Sequence, residues 1–185
     1  TLEESHKEVD DLDKLATIHK TDKNRCHFYT QHYQKHFKPY KFKKINFFEI
    51  GVGGYENPIS GGESLRMWKS YFPFAKIFSL DIFDKSFLQE NRIQIFRGSQ
   101  VDEIVLSTIF KQVGEFDLII DDGSHINEHV IKSFEFLFPK LKKGGIYVIE
   151  DTQTSYWKEY GGNSEDFNTK GTIYHYFKSL IDCLN

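Results

Sequence analysis

The sequence has little cysteine and lacks long apolar runs. Its two cysteines, Cys26 and Cys183, are far apart and neither belongs to a Cys-x-x-Cys pair, which excludes a disulfide scaffold and a cysteine zinc site. No apolar run approaches the roughly 20 residues that span a bilayer. The amino-terminal residues are polar and acidic, unlike a signal peptide. We therefore expect a cytoplasmic protein that does not insert into a membrane.

An excess of basic residues is also absent. The chain of 185 residues carries 24 Lys and Arg against 27 Asp and Glu, a formal net charge of −3. Bulk charge therefore argues against nucleic acid or an anionic membrane as the main partner. This length allows one domain with a sizeable core. Because the chain begins at Thr1 without an initiator Met, we expect a domain excised from a larger enzyme. The alternative expectation for its assembly is a homo-oligomer.

The amino-terminal part has helical rather than strand periodicity. Between residues 2 and 20, the apolar side chains Leu12, Leu15 and Ile18 recur at helical spacing among charges. A second helical stretch over residues 28–37 ends before Pro39. We predict an N-terminal helical cap over residues 1–43 and a core domain over residues 44–185.

From residue 44 onwards, short apolar runs alternate with amphipathic stretches. The predicted strands cover residues 45–52, 76–82, 93–96, 116–120 and 146–149. The predicted helices cover residues 64–71, 102–113, 128–141 and 172–184. Strands that alternate with helices are typical of a parallel sheet covered on both faces. Right-handed crossovers then predict a doubly wound, Rossmann-like α/β fold.

The first predicted strand ends in a glycine-rich turn. Gly51 and Gly53 match the first two glycines of the dinucleotide fingerprint, but Glu56 stands at the third position and a long loop precedes the next helix. A pyrophosphate on a tight helix N-terminus is therefore disfavoured. On its own, this turn fits cofactor binding and a simple tight turn equally well.

Polar residues follow the second and third strands. An acid at the position of Asp81 commonly accepts the two ribose hydroxyls of an adenosine cofactor, although it can also cap a loop. After the third strand, Asp102 could be the N-cap of the next helix. It could equally receive an adenine amino group beside Gln100, and both interpretations stay open.

Three acids and a histidine follow the fourth and fifth strands. These strands are neighbours in a sheet of order 3-2-1-4-5, so Asp122, Glu150 and Asp151 should share one rim. Carboxylates this close repel each other unless a cation holds them, and an all-oxygen cluster suits Mg²⁺ better than zinc. His125 should face the same cavity, where an imidazole could act as general base for a substrate hydroxyl.

Several of these segments together resemble a known family. FFEIGVGG, SLDIFDK, GSQVD, DDGSHINEHV and GGIYVIEDT resemble segments of class I S-adenosylmethionine-dependent methyltransferases. More narrowly, they resemble the metal-dependent macrolide sugar O-methyltransferases of the mycinamicin and macrocin type. Thr21-Asp22-Lys23 and the segment GGESLRMW also resemble that family. The resemblance runs from about residue 12 to residue 160, and the pairing of DDGSH with IED is its specific part.

The resemblance implies a methyl transfer from S-adenosylmethionine to a hydroxyl of a macrolide sugar or polyketide. It implies Mg²⁺ bound by Asp122, Glu150 and Asp151, with His125 as the base. The cofactor-binding residues that it implies are Glu49, Gly51 and Gly53 for the methionine portion, Asp81 for the ribose, Gln100, Asp102 and Asp121 on the adenine side, and Tyr29 and Ser64 in covering segments.

This sequence departs from the family in one feature. Two other functions are alternatives to a methyltransferase. The family fold continues past the helix at residues 172–184 into a closing pair of strands, which this chain does not contain. An NAD(P)-dependent oxidoreductase would use the same sheet but would need a glycine where Glu56 stands. A non-catalytic domain that kept the fold would lack a metal or base residue, and all four are present. The aromatic residues between 152 and 171 could contact the acceptor or seal the edge of the core.

Overall fold

Five parallel strands form the centre of the molecule. The computed structural model describes residues 12–24 and 27–184, so Cys26 and the first part of the predicted amino-terminal helix lie outside the described residues. The strands are β1 (Asn46–Ile50), β2 (Lys76–Asp81), β3 (Ile93–Arg97), β4 (Phe116–Asp121) and β5 (Leu141–Ile149). They pair in the order β3-β2-β1-β4-β5, and every pairing is parallel. The predicted doubly wound sheet is confirmed.

Helices cover both faces of this sheet. They are α1 (Leu12–His19), α2 (Thr30–Phe37), α3 (Glu63–Tyr71), α4 (Glu103–Val113), α5 (Asn127–Leu137) and α6 (Ile173–Asp182). Successive strand residues point to opposite faces, so Phe47 belongs to one buried cluster with Trp68, while Phe48 belongs to the other with Leu106. Burial on both faces explains why the strands are continuous apolar runs rather than alternating ones.

The amino-terminal helices share a core with the sheet. Phe37 on α2 is fully buried, and its ring lies 5.8 Å from that of Trp68 on α3. The ring of Tyr33 packs edge-on against Trp68 at 5.2 Å. The same aromatic cluster includes Phe47 of β1. The described residues of this part, 12–24 and 27–43, therefore pack over one face of the core through α1 and α2, while the predicted boundary at residue 43 stays a prediction.

The region between α5 and β5 differs from the sequence-based prediction. The helix predicted to reach residue 141 ends at Leu137, because Pro139 cannot continue an α-helix and lies in a 3₁₀ turn. The strand begins at Leu141 rather than Ile146. Its register against β4 shifts: Phe116 pairs with Leu141, but Leu118 pairs with Ile146. The intervening residues, including Gly144 at φ +83°, bulge within the strand.

The far end of the described chain follows β5. Two 3₁₀ helices, Thr152–Tyr156 and Lys158–Tyr160, lead towards α6, which packs against α5. The predicted helix over residues 172–184 is observed as Ile173–Asp182. Across residues 12–24 and 27–184, we find no helix with the length and apolar character needed to cross a membrane.

Candidate active site

A large cavity opens at the carboxyl end of the sheet. Its volume is about 820 Å³, within the range of small-molecule sites. Its lining includes residues 51–54 after β1, 81–83 after β2, 98–100 at the end of β3 and 122–125 after β4. Residues 20–23 of the amino-terminal cap also line it. This is where ligands bind in doubly wound sheets.

Gly51 permits a close approach between the ends of β1 and β4. Its φ is +95°, and a Cβ there would lie 2.1 Å from the carbonyl oxygen of Asp122. The Asp122 amide in turn donates to the Ile50 carbonyl at 3.0 Å. Gly51 therefore fixes the position of Asp122 relative to the rest of the cavity.

We expect Gly51→Ala to destabilise the fold more than a glycine substitution at a positive-φ position with open space around it. Gly161→Ala is the control, because Gly161 lies in the left-handed region at φ +77° and ψ +17° and has nothing within 4 Å of an added Cβ among the described residues. Positive φ should cost Gly161→Ala about 1 to 2 kcal/mol. The backbone clash should cost Gly51→Ala at least about 2 kcal/mol more. Chemical denaturation measures both free energies of unfolding, and equal losses would contradict the close-approach role.

Asp81, Gly53 and Ser64 line the cavity, as a cofactor role requires. The Asp81 side chain stabilises the turns around it: its Oδ2 accepts from the Val52 amide at 2.9 Å, and its Oδ1 accepts from the Phe83 amide at 2.9 Å. A carboxylate offers about four acceptor positions, so further hydrogen bonds to a ligand stay available. Ser64 lies in the first turn of α3, behind Gly62.

The predicted adenine-side residues occupy different environments. Asp102 caps α4, where its Oδ1 accepts from the amides of Ile104 and Val105, and it does not line the cavity. The structure shows the cap, and a contact between Asp102 and the adenine stays a prediction. Gln100 does line the cavity, and its Oε1 accepts from the Ser124 amide at 2.8 Å.

Asp121 lies behind Gln100 rather than in the cavity. It is 1% exposed and accepts from Gln100 Nε2 at 3.1 Å and from Ser133 Oγ at 2.6 Å. Burial raises the pKa of Asp121 to about 6, although these hydrogen bonds oppose the shift. Its observed contacts hold Gln100 in place, and a direct contact with the adenine stays a prediction.

Asp122, His125 and Asp151 converge on one point of the cavity. One ligand atom from each lies within 4.8 Å of the others, so the three could hold a metal ion. Nε2 of His125 is 3.8 Å from Oδ1 of Asp122 and 3.8 Å from Oδ2 of Asp151. His125 has φ +57° and Asp151 has φ +52°. Such left-handed conformations are costly for non-glycine residues and cluster at functional sites.

The amino-terminal cap holds Asp151 in place. Tyr29 Oη donates to Asp151 Oδ1 at 2.8 Å, and His27 Nδ1 lies 3.2 Å from the same oxygen. Although burial acts to raise the pKa of Asp151, hydrogen bonds from Gln153 and Tyr29 lower it below its usual value. Asp151 is therefore a carboxylate at neutral pH. Tyr29, predicted to cover the cofactor, is observed as a partner of this acid and does not line the cavity.

Glu150 points away from this group and towards a buried lysine. Its Oε1 accepts from Lys23 Nζ at 2.7 Å and from the Tyr33 hydroxyl. Burial acts to raise the pKa of Glu150, and the positive charge of Lys23 opposes that shift. Glu150 is thus not one of the three converging residues in this structure, although it was predicted as a ligand with Asp122 and Asp151. That role stays a prediction.

Glu49 also lies beneath the cavity, beside the same lysine. It is fully buried, accepts from Trp68 Nε1 at 2.8 Å and lies 3.3 Å from Lys23 Nζ. Burial raises the pKa of Glu49 to about 7, although the positive charge of Lys23 acts to lower it. Direct contact with the methionine portion of a cofactor stays a prediction for this residue.

Lys23 is the residue that sequence reasoning missed. It is 1% exposed, and besides Glu49 and Glu150 it donates to Asp122 Oδ2 at 2.8 Å. Burial alone would lower the pKa of Lys23, but its ion pairs with Asp122, Glu150 and Glu49 raise it well above the usual value. The sequence feature that could have identified Lys23 was its position in Thr21-Asp22-Lys23, a segment that resembles the family.

Comparisons with known proteins find similar methyltransferases. No family model matches the chain. Mycinamicin VI 2''-O-methyltransferase of Micromonospora griseorubida is 47% identical over 94% of this chain. Demethylmacrocin O-methyltransferase of Streptomyces fradiae is 46% identical over 94%. The structure of MycE methyltransferase from the mycinamycin biosynthetic pathway, in complex with Mg and SAH, superimposes with a TM-score of 0.90 at 48% identity over 93% of this chain. The predicted resemblance is confirmed.

The matches cover only part of each relative. The chain spans 44% of both curated relatives and 48% of the MycE chain. A second MycE structure also contains mycinamycin VI and superimposes with the same TM-score of 0.90.

Proposed function

We propose that this chain is the cofactor-binding, catalytic part of a metal-dependent O-methyltransferase. It would transfer the methyl group of S-adenosylmethionine to a hydroxyl of a glycosylated macrolide or related natural product. The observation that carries the proposal is the convergence of Asp122, His125 and Asp151 in the cavity at the carboxyl end of the sheet. Support comes from relatives that are named O-methyltransferases and match more than nine-tenths of the chain.

The donor set fits a hard divalent cation. Asp122 and Asp151 present carboxylate oxygens, the ligands that Mg²⁺ prefers, and one cation there would relieve their mutual repulsion. We propose both as ligands. Glu150 is the third proposed ligand, but it would have to exchange Lys23 for the metal. A bound Mg²⁺ would act as a Lewis acid that orients the acceptor hydroxyl and favours its deprotonation.

The side chains of this protein would then perform the transfer. Nε2 of His125, facing the carboxylates, would remove the proton from the acceptor hydroxyl. The hydroxyl oxygen would attack the methyl carbon as the bond from that carbon to the sulfonium sulfur breaks, so that the sulfur leaves as the uncharged thioether of S-adenosylhomocysteine. Most of the rate would come from holding oxygen, carbon and sulfur in line. The absence of a side chain at Gly51 lets the Asp122 backbone approach the end of β1 closely.

The acceptor would enter near the segment after the acids. Tyr160 lines the cavity, and Trp157 packs beside it, with the two ring centres 5.8 Å apart and the ring planes tilted by 54°. Trp157 is 45% exposed, so its ring is available to pack against a sugar or polyketide surface. Other aromatic rings of this segment, such as Tyr156, pack against Tyr174 of α6 instead. The segment therefore both contributes to the cavity and seals the core.

Calorimetry with S-adenosylhomocysteine and NAD tests the proposed cofactor. We expect S-adenosylhomocysteine to bind with and without Mg²⁺, and NAD to give no heat, because Glu56 and the long loop replace the third glycine of the dinucleotide fingerprint. Binding of NAD alone would favour an oxidoreductase. Binding of neither would favour a non-catalytic domain.

Asp81→Ala should weaken S-adenosylhomocysteine binding. The variant removes the proposed acceptor of two ribose hydroxyls, and leaving these unpaired should cost about 2 to 3 kcal/mol, or roughly 30- to 150-fold in affinity. Asp84→Ala is the matched control. Asp84 accepts from the Ser86 amide at 2.9 Å, as Asp81 does from Phe83, but it does not line the cavity. Unchanged affinity in folded Asp81→Ala would refute the ribose assignment.

A further inference from the structure

Lys23 joins the amino-terminal cap to three acids of the sheet. It belongs to the 3₁₀ turn Asp22–Asn24, and its ammonium group lies 2.8 Å from Asp122, 2.7 Å from Glu150 and 3.3 Å from Glu49. The lysine side chain and both glutamates are almost completely buried. A buried charge is costly unless it is paired, so the acids around Lys23 and its positive charge depend on each other for stability.

The two carboxylate oxygens of Asp122 have different neighbours. Oδ2 accepts from Lys23, whereas Oδ1 is the oxygen nearest to His125. Asp122 is thus shared between the buried ammonium group of Lys23 and the converging group in the cavity. Glu150, by contrast, directs Oε1 to Lys23 and Tyr33.

A divalent cation at the converging group would have to compete with this lysine. Both cations draw on Asp122, and Glu150 can become a ligand only by leaving Lys23. In addition, a +1 and a +2 charge that share one carboxylate repel each other strongly where water is excluded. Lys23 would therefore lower metal affinity while it stabilises the metal-free site.

We propose that Lys23 is a built-in counter-ion of the metal site, which neutralises Asp122 and Glu150 in the metal-free protein and competes with the divalent cation for them. The proposal rests on the proposed metal-dependent function. It makes Lys23 a positioning residue, because it acts through the acids rather than on the substrate. It also predicts that removal of Lys23 strengthens metal binding instead of weakening it.

The test is Mn²⁺ binding in the absence of cofactor and acceptor, followed by electron paramagnetic resonance of the free ion. We expect Lys23→Met to bind Mn²⁺ at least about tenfold more tightly than wild type, because the competing charge is gone. The melting temperature should fall in the metal-free variant, and Mn²⁺ should raise it by more than in wild type. A lysine with only a structural role would give unchanged or weaker Mn²⁺ binding, and that result would overturn the proposal.

Lys85→Met is the matched control for loss of a buried lysine. Lys85 is also 1% exposed, but its ammonium group donates to the neutral carbonyls of Asn57 and Ser60. Its removal should lower the melting temperature equally with and without Mn²⁺ and change Mn²⁺ affinity by less than about threefold. A tenfold tightening in this control as well would show a general charge effect and overturn the specific role of Lys23.

A paired variant keeps the test valid if Lys23→Met alone does not fold. Lys23→Met/Glu150→Gln removes one positive and one negative buried charge, which proteins often tolerate. Compared with Glu150→Gln alone, it should again bind Mn²⁺ at least about tenfold more tightly. No tightening would overturn the proposal. Failure of the wild type and of both Lys23→Met variants to bind Mn²⁺ would overturn the metal-dependent function, and the proposal for Lys23 with it.

Discussion

Removal of divalent cations with EDTA should abolish methyl transfer while leaving S-adenosylhomocysteine binding largely intact, and added Mg²⁺ should restore the transfer. The reason is spatial separation: Asp122 and Asp151 meet near His125, whereas the proposed ribose contact, Asp81, follows β2 on the other side of β1. Methyl transfer to a glycosylated macrolide measures the first effect, and calorimetry measures the second.

Isosteric variants identify which acids are responsible. Asp151→Asn should weaken Mn²⁺ binding at least about tenfold, because a neutral amide is a poor ligand for a hard cation. Asp84→Asn, on an exposed turn outside the cavity, should bind Mn²⁺ like wild type. Full activity after rigorous metal removal would contradict the metal site and leave the acids with a structural or hydrogen-bonding role.

His125→Ala should lose about 10²- to 10⁴-fold in turnover, the usual contribution of a positioned general base. Mg²⁺ and cofactor binding should persist, because the proposed ligands are carboxylates. Single-turnover rates measure the first expectation, and binding of Mg²⁺ and S-adenosylhomocysteine measures the second.

His129→Ala is the matched control for this variant. His129 also lines the cavity, but its Nδ1 lies 3.0 Å from Ser124 Oγ, outside the converging group. Its removal should reduce turnover by less than about tenfold. If His125→Ala instead loses Mg²⁺ together with activity, His125 is a ligand, and the base must be another group.

The local sequence pattern predicted the five strands and the edge of the sheet at which the site lies. Apolar runs bounded by turn residues identified all five strands, because strands buried on both faces must be continuously apolar. Parallel strands bring their carboxyl ends to one edge, so Asp81, Asp122 and Asp151 could be placed around one cavity from chain order alone. The start of β5 was wrong because a bulge depends on the partner strand, which sequence periodicity does not register.

The sequence by itself therefore determined the doubly wound sheet, the family resemblance and the edge at which the functional residues lie. Only the tertiary structure decided which side chains at that edge face the cavity. Asp102 caps α4, Asp121 is buried behind Gln100, and Glu150 points down to Lys23. The physical reason is that side-chain direction follows from burial and from charge partners, and the partner of Glu150 comes from a turn 127 residues earlier in the chain.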